Sequence, residues 1–185
     1  MSDGTSPAAG VVLAAGEGSR FGGPKAPFVY QGERLVDRAV RVLREAGCDP
    51  VFVILGAWEG NVDDALVIVN HGWEEGMGSS LRIALKWVNA TTDADYALIT
   101  LVDLPGLTAE AVARVIDAPA GIAVATFDGE RGHPVRIPRE HFRELIDSVQ
   151  GDEGARAFLA GRDDLSLVEV ADVADGSDLD VAPAT

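Results

Sequence analysis

The sequence predicts an α/β protein with three layers, α/β/α, around a mostly parallel sheet. Strand-length apolar runs alternate with segments of helical period along the chain. Several of those runs are apolar at every position, the pattern of strands covered on both faces. The first run also ends in a glycine-rich stretch, where a buried strand would give way to an exposed turn.

Ala8–Ala15 (AAGVVLAA) reads as the first strand and closes on Gly16. Leu35–Leu43 (LVDRAVRVL) has helical spacing and is stopped by Gly47. Val51–Leu55 and Ala65–Val69 are the second and third strands, and Ser79–Val88 is a helix with Ser79 and Ser80 as candidate N-caps. Tyr96–Val102 is the fourth strand and runs into Asp103. Thr108–Ile116 opens with a capping-box pattern and reads as a helix. Gly121–Phe127 is the fifth strand, and Asp128–Gly129 signals a hairpin before a strand over Gly132–Ile137. Pro138–Val149 and Glu153–Ala160 read as helical, and Ser166–Val170 as the last strand. Residues 171–185 form an acidic tail without periodicity. The whole length is expected to make one domain, with no repeat or linker.

Composition narrows the function. The chain has 185 residues, 47% of them hydrophobic, so a buried core is expected rather than disorder. Its net charge of −15 repels nucleic-acid backbone and anionic membrane, which makes both poor partners. No apolar run reaches the roughly 18 residues a bilayer requires. The N-terminal MSDGTSPAAG lacks the basic flank of a signal peptide. With Cys48 as the lone cysteine, the chain has no internal disulfide and no cysteine metal cluster. A cytoplasmic location is expected. An anionic ligand would have to rely on a few placed cations and a divalent metal. Lys25 and Lys86 are the only lysines against thirteen arginines, and Lys86 lies in a helical pattern that leaves it solvated.

In a parallel sheet, ligands sit outside the carboxyl ends of the strands. That rule selects the loops 16–27, 70–78 and 103–107. The first holds Gly16, Gly18, Gly22 and Gly23, with Arg20 and Lys25 among them. Glycines let backbone amides converge on an anion whose charge the cations balance. Phe21 stands where a dinucleotide loop needs its third glycine, and Pro24 and Pro27 oppose direct entry into a helix. A Walker loop would need GKS or GKT. A phosphate-binding loop of another kind and a flexible glycine-rich surface loop both remain. Asp103 ends an apolar strand, where an unpartnered carboxylate is costly. It reads either as a Mg²⁺ ligand or as a turn residue before Leu-Pro-Gly.

LAAGEGSRFGGPK, Leu13 to Lys25, resembles the LAAGxSxRxGxxK signature of the MobA-like NTP transferases. Val69–Ser80 (VNHGWEEGMGSS), Thr100–Pro105 (TLVDLP), Gly132–Val135 (GHPV) and Gly151–Arg156 (GDEGAR) are similar to further family motifs in the same order. The chain is most similar to the molybdenum-cofactor cytidylyltransferase branch. The resemblance implies a GT-A-like nucleotidyltransferase fold (the nucleotide-diphospho-sugar transferase fold). It implies a Mg²⁺-dependent transfer of CMP from CTP to molybdopterin or molybdenum cofactor, with a molybdoenzyme receiving the product.

In that reading Leu13, Ala14, Ala15, Gly16, Gly18, Gly22, Gly23, Ser79 and Ser80 bind the nucleotide, with Trp73 lining the pocket. Lys25 stabilises charge on the α-phosphate, Arg20 holds the departing pyrophosphate, and Asp103 holds Mg²⁺. Asp180 is the candidate second ligand, although its spacing to Pro183 is one residue longer than the family's DIDTP-type segment and the threonine is absent. An unstructured tail is the alternative. His133, Asp152 and Arg156 would face the acceptor; on pattern alone Asp152 is equally a helix cap. His71 and His141 read as surface residues. The rival functions are transfer to a sugar phosphate or other small phosphate, and a non-catalytic nucleotide- or cofactor-binding delivery protein.

Overall fold

The structure is a computed structural model that describes residues 8–181. Residues 1–7 of the N-terminal segment read above and the Ala182–Pro183 end of the tail motif lie outside them. In chain order the elements are β1 (Ala8–Ala14), β2 (Val29–Tyr30), β3 (Glu33–Arg34), α1 (Leu35–Glu45), β4 (Val51–Leu55), β5 (Leu66–Val69) and α2 (Met77–Thr91). They continue with β6 (Tyr96–Leu101), α3 (Ala109–Ile116), β7 (Ala123–Phe127), β8 (Glu130–Pro138), α4 (Phe142–Ser148), α5 (Arg156–Leu159) and β9 (Ser166–Glu169).

Seven strands form one sheet in the order β5-β4-β1-β6-β8-β7-β9, and β2 and β3 pair as a separate ribbon. All pairings in the large sheet are parallel except the two made by β8. The mostly parallel sheet is therefore as the alternation predicts, with one reversed strand. β1 is buried at all seven positions, as its unbroken apolar run requires. The strand pleat divides the core in two. Val51, Val53 and Leu55 of β4 lie in the core on the side of α1 and α3, with Val36, Leu43 and Val112. Phe52 and Ile54 lie in the opposite layer, with Leu81 and Leu85 of α2 and Phe142 of α4. Each such fully buried side chain contributes roughly 1.5–3 kcal/mol. No helix among the described residues is long and apolar enough to cross a membrane.

Several boundaries differ from expectation. The helix expected from Ser79 begins at Met77 and ends at Thr91. Gly76, not a serine, occupies its N-cap. The stretch Pro138–Val149 opens with a 3₁₀ turn at Arg139–His141 before α4. Glu153–Ala160 contracts to the four residues of α5, after a 3₁₀ turn at Gly151–Glu153 and Gly154 at φ 53. The strand at Gly132–Ile137 lengthens to Glu130–Pro138. Thr108 caps α3 by accepting from the Ala111 amide at 3.2 Å. The reciprocal half of the box is absent, because the N3 position is Ala111, which has no side chain to reach back; Glu110, one residue earlier, pairs with Arg114 at 2.7 Å.

Asp128 and Gly129 form the expected two-residue hairpin, with φ of 52 and 84, the type I′ requirement. The Glu169 carboxylate accepts from the amides of Asp128 and Gly129 and from Thr126 Oγ1, each at 3.0 Å. Arg136, 1% exposed, donates to the carbonyls of Ile116, Ala118, Pro119 and Gly121 and lies 4.8 Å from the Tyr96 ring. It thereby fixes the connection from α3 to β7.

The chain runs outward from β1 to β4 and β5, then returns across β1 to β6. Strand order reverses there, so the carboxyl ends of β1 and β6 flank the position where open α/β sheets bind ligands.

Candidate functional site

A cleft of about 470 Å³ opens at that position. Leu13, Ala14, Ala15, Gly16, Gly18 and Lys25 line one wall; Trp73, Gly76, Met77 and Ser80 line another. Asp103 and Asp152 complete it. The three loops selected from the sequence thus meet in one cleft, joined by the segment around Asp152.

The glycines in the first loop do different jobs. Gly18 has φ 63, and a Cβ there would lie 2.0 Å from the Gly23 carbonyl oxygen. The Gly18 carbonyl accepts from the amides of Phe21, Gly22 and Gly23 at 2.9, 2.9 and 3.1 Å. Gly22 and Gly23 therefore direct their amides into the loop and shape it, instead of offering them to a ligand. No described residue accepts from the amides of residues 17–20, so these remain for an anion. Arg20 is exposed on the same loop and does not line the cleft.

Lys25 Nζ lies 2.7 Å from Asp103 Oδ2 and 3.6 Å from Asp180 Oδ1. The Lys25 and Asp103 side chains are 14% and 18% exposed, so this pair is screened less than a surface one. Asp180 arrives because residues 171–181 return to the sheet. The Asp175 amide donates to the Gly106 carbonyl at 3.1 Å and the Leu179 amide to the Asp103 carbonyl at 2.9 Å. Val173, Ala174 and Leu179 pack on the core. The described part of the tail is ordered by these contacts, and the unstructured alternative does not hold for it. Asp178, missed by sequence reasoning as a separate group, has its carboxyl pushed above the usual range by burial and then by Asp103 and Asp180, with Lys25 opposing.

A divalent cation fits this arrangement. Asp103 Oδ1 is buried with no hydrogen-bond partner among the described residues, and an orphaned carboxylate oxygen suits a hard cation. Among the described residues no group of three or more Asp, Glu, His or Cys side chains forms a ready-made cage. Mg²⁺ commonly takes substrate phosphates and water as its further ligands. The cleft wall also carries Glu17, Glu74 and Asp152 with Lys25 as its one cation, so a bare polyanion would be repelled.

His133 lies two residues before Val135, where the β6–β8 pairing ends opposite Ile99, and it is near enough to Asp103 to feel its charge. Burial pushes the imidazole down to about 4, against an upward pull from Asp103. The ring is neutral at pH 7. Asp152 sits at the start of α2, where a Cβ on Gly76 would lie 2.4 Å from its Oδ1. It shares the cleft with the nucleotide loop. Arg156, at the start of α5, is exposed and outside the cleft lining. His71 is exposed; His141 has a side chain only 20% exposed, set edge-on to Phe158.

Ser79 and Ser80 are not caps. Both are buried in the first turn of α2, and the Asn70 side chain bonds both hydroxyls. Asn70, 1% exposed, is a second residue missed from sequence. A buried asparagine at a strand end has no local signature, although its place in the Val69–Ser80 motif was a signal.

A model of the MobA-like NTP transferase domain matches residues 10–168. The chain belongs to the MobA-like NTP transferase family, a family of nucleotidyltransferases, and has its GT-A-like fold. It is 36% identical to nicotine blue oxidoreductase of Paenarthrobacter nicotinovorans over 92% of this chain and 91% of that protein. It is also 36% identical to a probable molybdenum cofactor guanylyltransferase of Opitutus terrae, over 59% of this chain and 54% of that protein. Among solved structures it resembles Rv0371c of Mycobacterium tuberculosis H37Rv in complex with manganese. The TM-score is 0.72 and the identity 27%, covering 89% of each chain.

Proposed function

We propose that the chain transfers CMP from CTP to the phosphate of molybdopterin or molybdenum cofactor and releases pyrophosphate, before a molybdoenzyme receives the product in the cytoplasm. The observation that carries this reading is the Lys25–Asp103 pair in the switch-point cleft, with one Asp103 oxygen unpaired among the described residues. An acceptor phosphate oxygen attacks the α-phosphorus, and the bond from that phosphorus to the bridging oxygen of the β-phosphate breaks. Such chemistry depends on positioning and charge neutralisation more than on covalent catalysis by the protein.

Asp103, with Asp180, would hold Mg²⁺, which when bound neutralises phosphate charge; the manganese complex of the mycobacterial relative supports a divalent metal. Lys25 stabilises charge growing on the α-phosphate, while Arg20 and the amides of residues 17–20 hold the departing pyrophosphate. Neutral His133 offers the acceptor a hydrogen bond rather than a charge, and Arg156 would bind its anionic part from outside the cleft lining. The base would lie near Ala15, which with Trp73 packs against Gly56. Glycine is more frequent at the Ala15 position in guanylyl members, and this favours CTP; the name of the Opitutus relative favours GTP.

The full-length match to nicotine blue oxidoreductase favours a second reading, reduction of a small organic substrate. One screen separates them. Purified protein with Mg²⁺ and molybdopterin is given each of the four NTPs, and pyrophosphate is measured. In parallel, oxidation of reduced nicotinamide cofactors is followed with candidate electron acceptors. Pyrophosphate release with one preferred base, abolished in Lys25→Ala, supports nucleotidyl transfer. Cofactor oxidation without pyrophosphate replaces it with the second reading.

A further inference from the structure

The loop between β5 and α2 contains a hydrogen-bond chain whose polarity is fixed by the backbone. Asn70 is 1% exposed and makes three bonds with its side chain. Its Oδ1 accepts from the Gly72 amide at 2.9 Å. Its Nδ2 donates to Ser79 Oγ at 2.8 Å and to Ser80 Oγ at 3.0 Å. An asparagine amide can usually be turned end for end. Here it cannot, because the Gly72 N–H is a donor and needs the oxygen. The nitrogen must therefore face the serines, and each serine must accept from it.

The two hydroxyl protons then have different fates. Ser79 lies within reach of the Gly76 carbonyl at 2.9 Å and the Gly72 carbonyl at 3.2 Å, so its proton is taken inside the protein. Ser80 has no acceptor among the described residues, and Ser80 lines the cleft. A buried hydroxyl proton without a partner is costly.

We infer that Asn70 is a positioning residue that presents Ser80 to the cleft as a hydrogen-bond donor. The group that meets Ser80 on a bound nucleotide is accordingly an acceptor: a base carbonyl, a ring nitrogen or a ribose oxygen. The inference rests on the cleft binding a nucleoside triphosphate, as proposed above. It places a contact to the nucleoside on the α2 wall of the cleft, across from the glycine loop, so the two halves of the ligand can be tested apart.

The substitution Asn70→Asp keeps the shape and the acceptor for Gly72 while removing the two N–H donors. The serine hydroxyls would then turn their protons toward residue 70, and Ser80 would offer the cleft a lone pair. Ser80→Ala removes only the hydroxyl, and melting curves report whether each variant folds. The measurements are dissociation constants for CTP, for GTP and for inorganic tripolyphosphate with Mg²⁺, together with kcat and KM for pyrophosphate release.

Each single variant should weaken binding of the preferred triphosphate roughly tenfold to hundredfold, the range for one lost hydrogen bond that leaves a buried partner unmet. KM should rise with it, and kcat should change much less. Tripolyphosphate binding should not change. The double variant should be no worse than Ser80→Ala alone, since both act through one hydroxyl. Folded variants that bind the triphosphate as wild type does would overturn the inference, as would equal losses for the triphosphate and tripolyphosphate. Wild-type protein that binds no nucleoside triphosphate overturns the proposed function itself.

Discussion

Lys25 and Asp103 stand 78 positions apart in the chain, and the sheet brings them together because β1 and β6 are neighbours with parallel carboxyl ends. The chemistry of each residue is legible from its own surroundings, a lysine in a glycine loop and a carboxylate ending an apolar strand. Their mutual distance is not, because it depends on which strands pair. Asn70 shows the same limit more sharply, since its role lies entirely in the partners it meets. Gly18 is the reverse case: its conformational need is local, and it carries a prediction. Gly18→Ala places a Cβ against the Gly23 carbonyl at a φ of 63. The positive φ alone costs about 1–2 kcal/mol. The loop should distort, weakening tripolyphosphate and nucleotide binding together while the melting transition shifts only modestly. Wild-type affinity for both would show that the Gly18 carbonyl does not organise the loop.

At the scale of elements, the β7–β8 hairpin was readable from Asp128–Gly129, but the carboxylate that holds its turn comes from β9. Glu169 is pulled down to about 2 by the amide of Ala171 first and then of Gly129, with Asp128 and Thr126 adding to them. Its folded pKa is below its unfolded value, so the unfolded state binds the proton more readily. The stability it contributes is present above about pH 4.5 and is lost as pH falls through the folded pKa near 2. Acid unfolding followed from pH 5 to 2 should be less steep in Glu169→Gln than in wild type. Identical profiles would remove this carboxylate from the account. The misplaced start of α2 has a comparable origin. Serines favour a cap by propensity, but the buried Asn70 drew both into the first turn, and tertiary contact outweighed the local preference.

Across the whole molecule, the layer architecture and the position of the site followed from the alternation of elements and the switch-point rule. The reversed β8 and the order of residues 171–181 did not, because strand order and backbone contacts to distant loops leave no period in the sequence. Arg136 belongs to this scale. Its guanidinium joins four carbonyls from the end of α3 to the start of β7, with no carboxylate partner among the described residues. Arg136→Met should destabilise the protein by about 1–3 kcal/mol, since four partly buried carbonyls lose their donor together. Denaturant melts would detect this, and a loss below about 1 kcal/mol would mean that water replaces the guanidinium readily.

In the proposed reaction an acceptor oxygen displaces pyrophosphate at the α-phosphorus in the cleft between β1 and β6. Nucleoside triphosphate labelled separately at the α- and γ-phosphorus tests it most directly, with Mg²⁺, molybdopterin and either wild-type or Asp103→Asn protein. The predicted result is α-label on the acceptor, γ-label in pyrophosphate, and neither product at a significant rate in the variant. Label passing to the acceptor from the γ position, or equal turnover by Asp103→Asn, would contradict it.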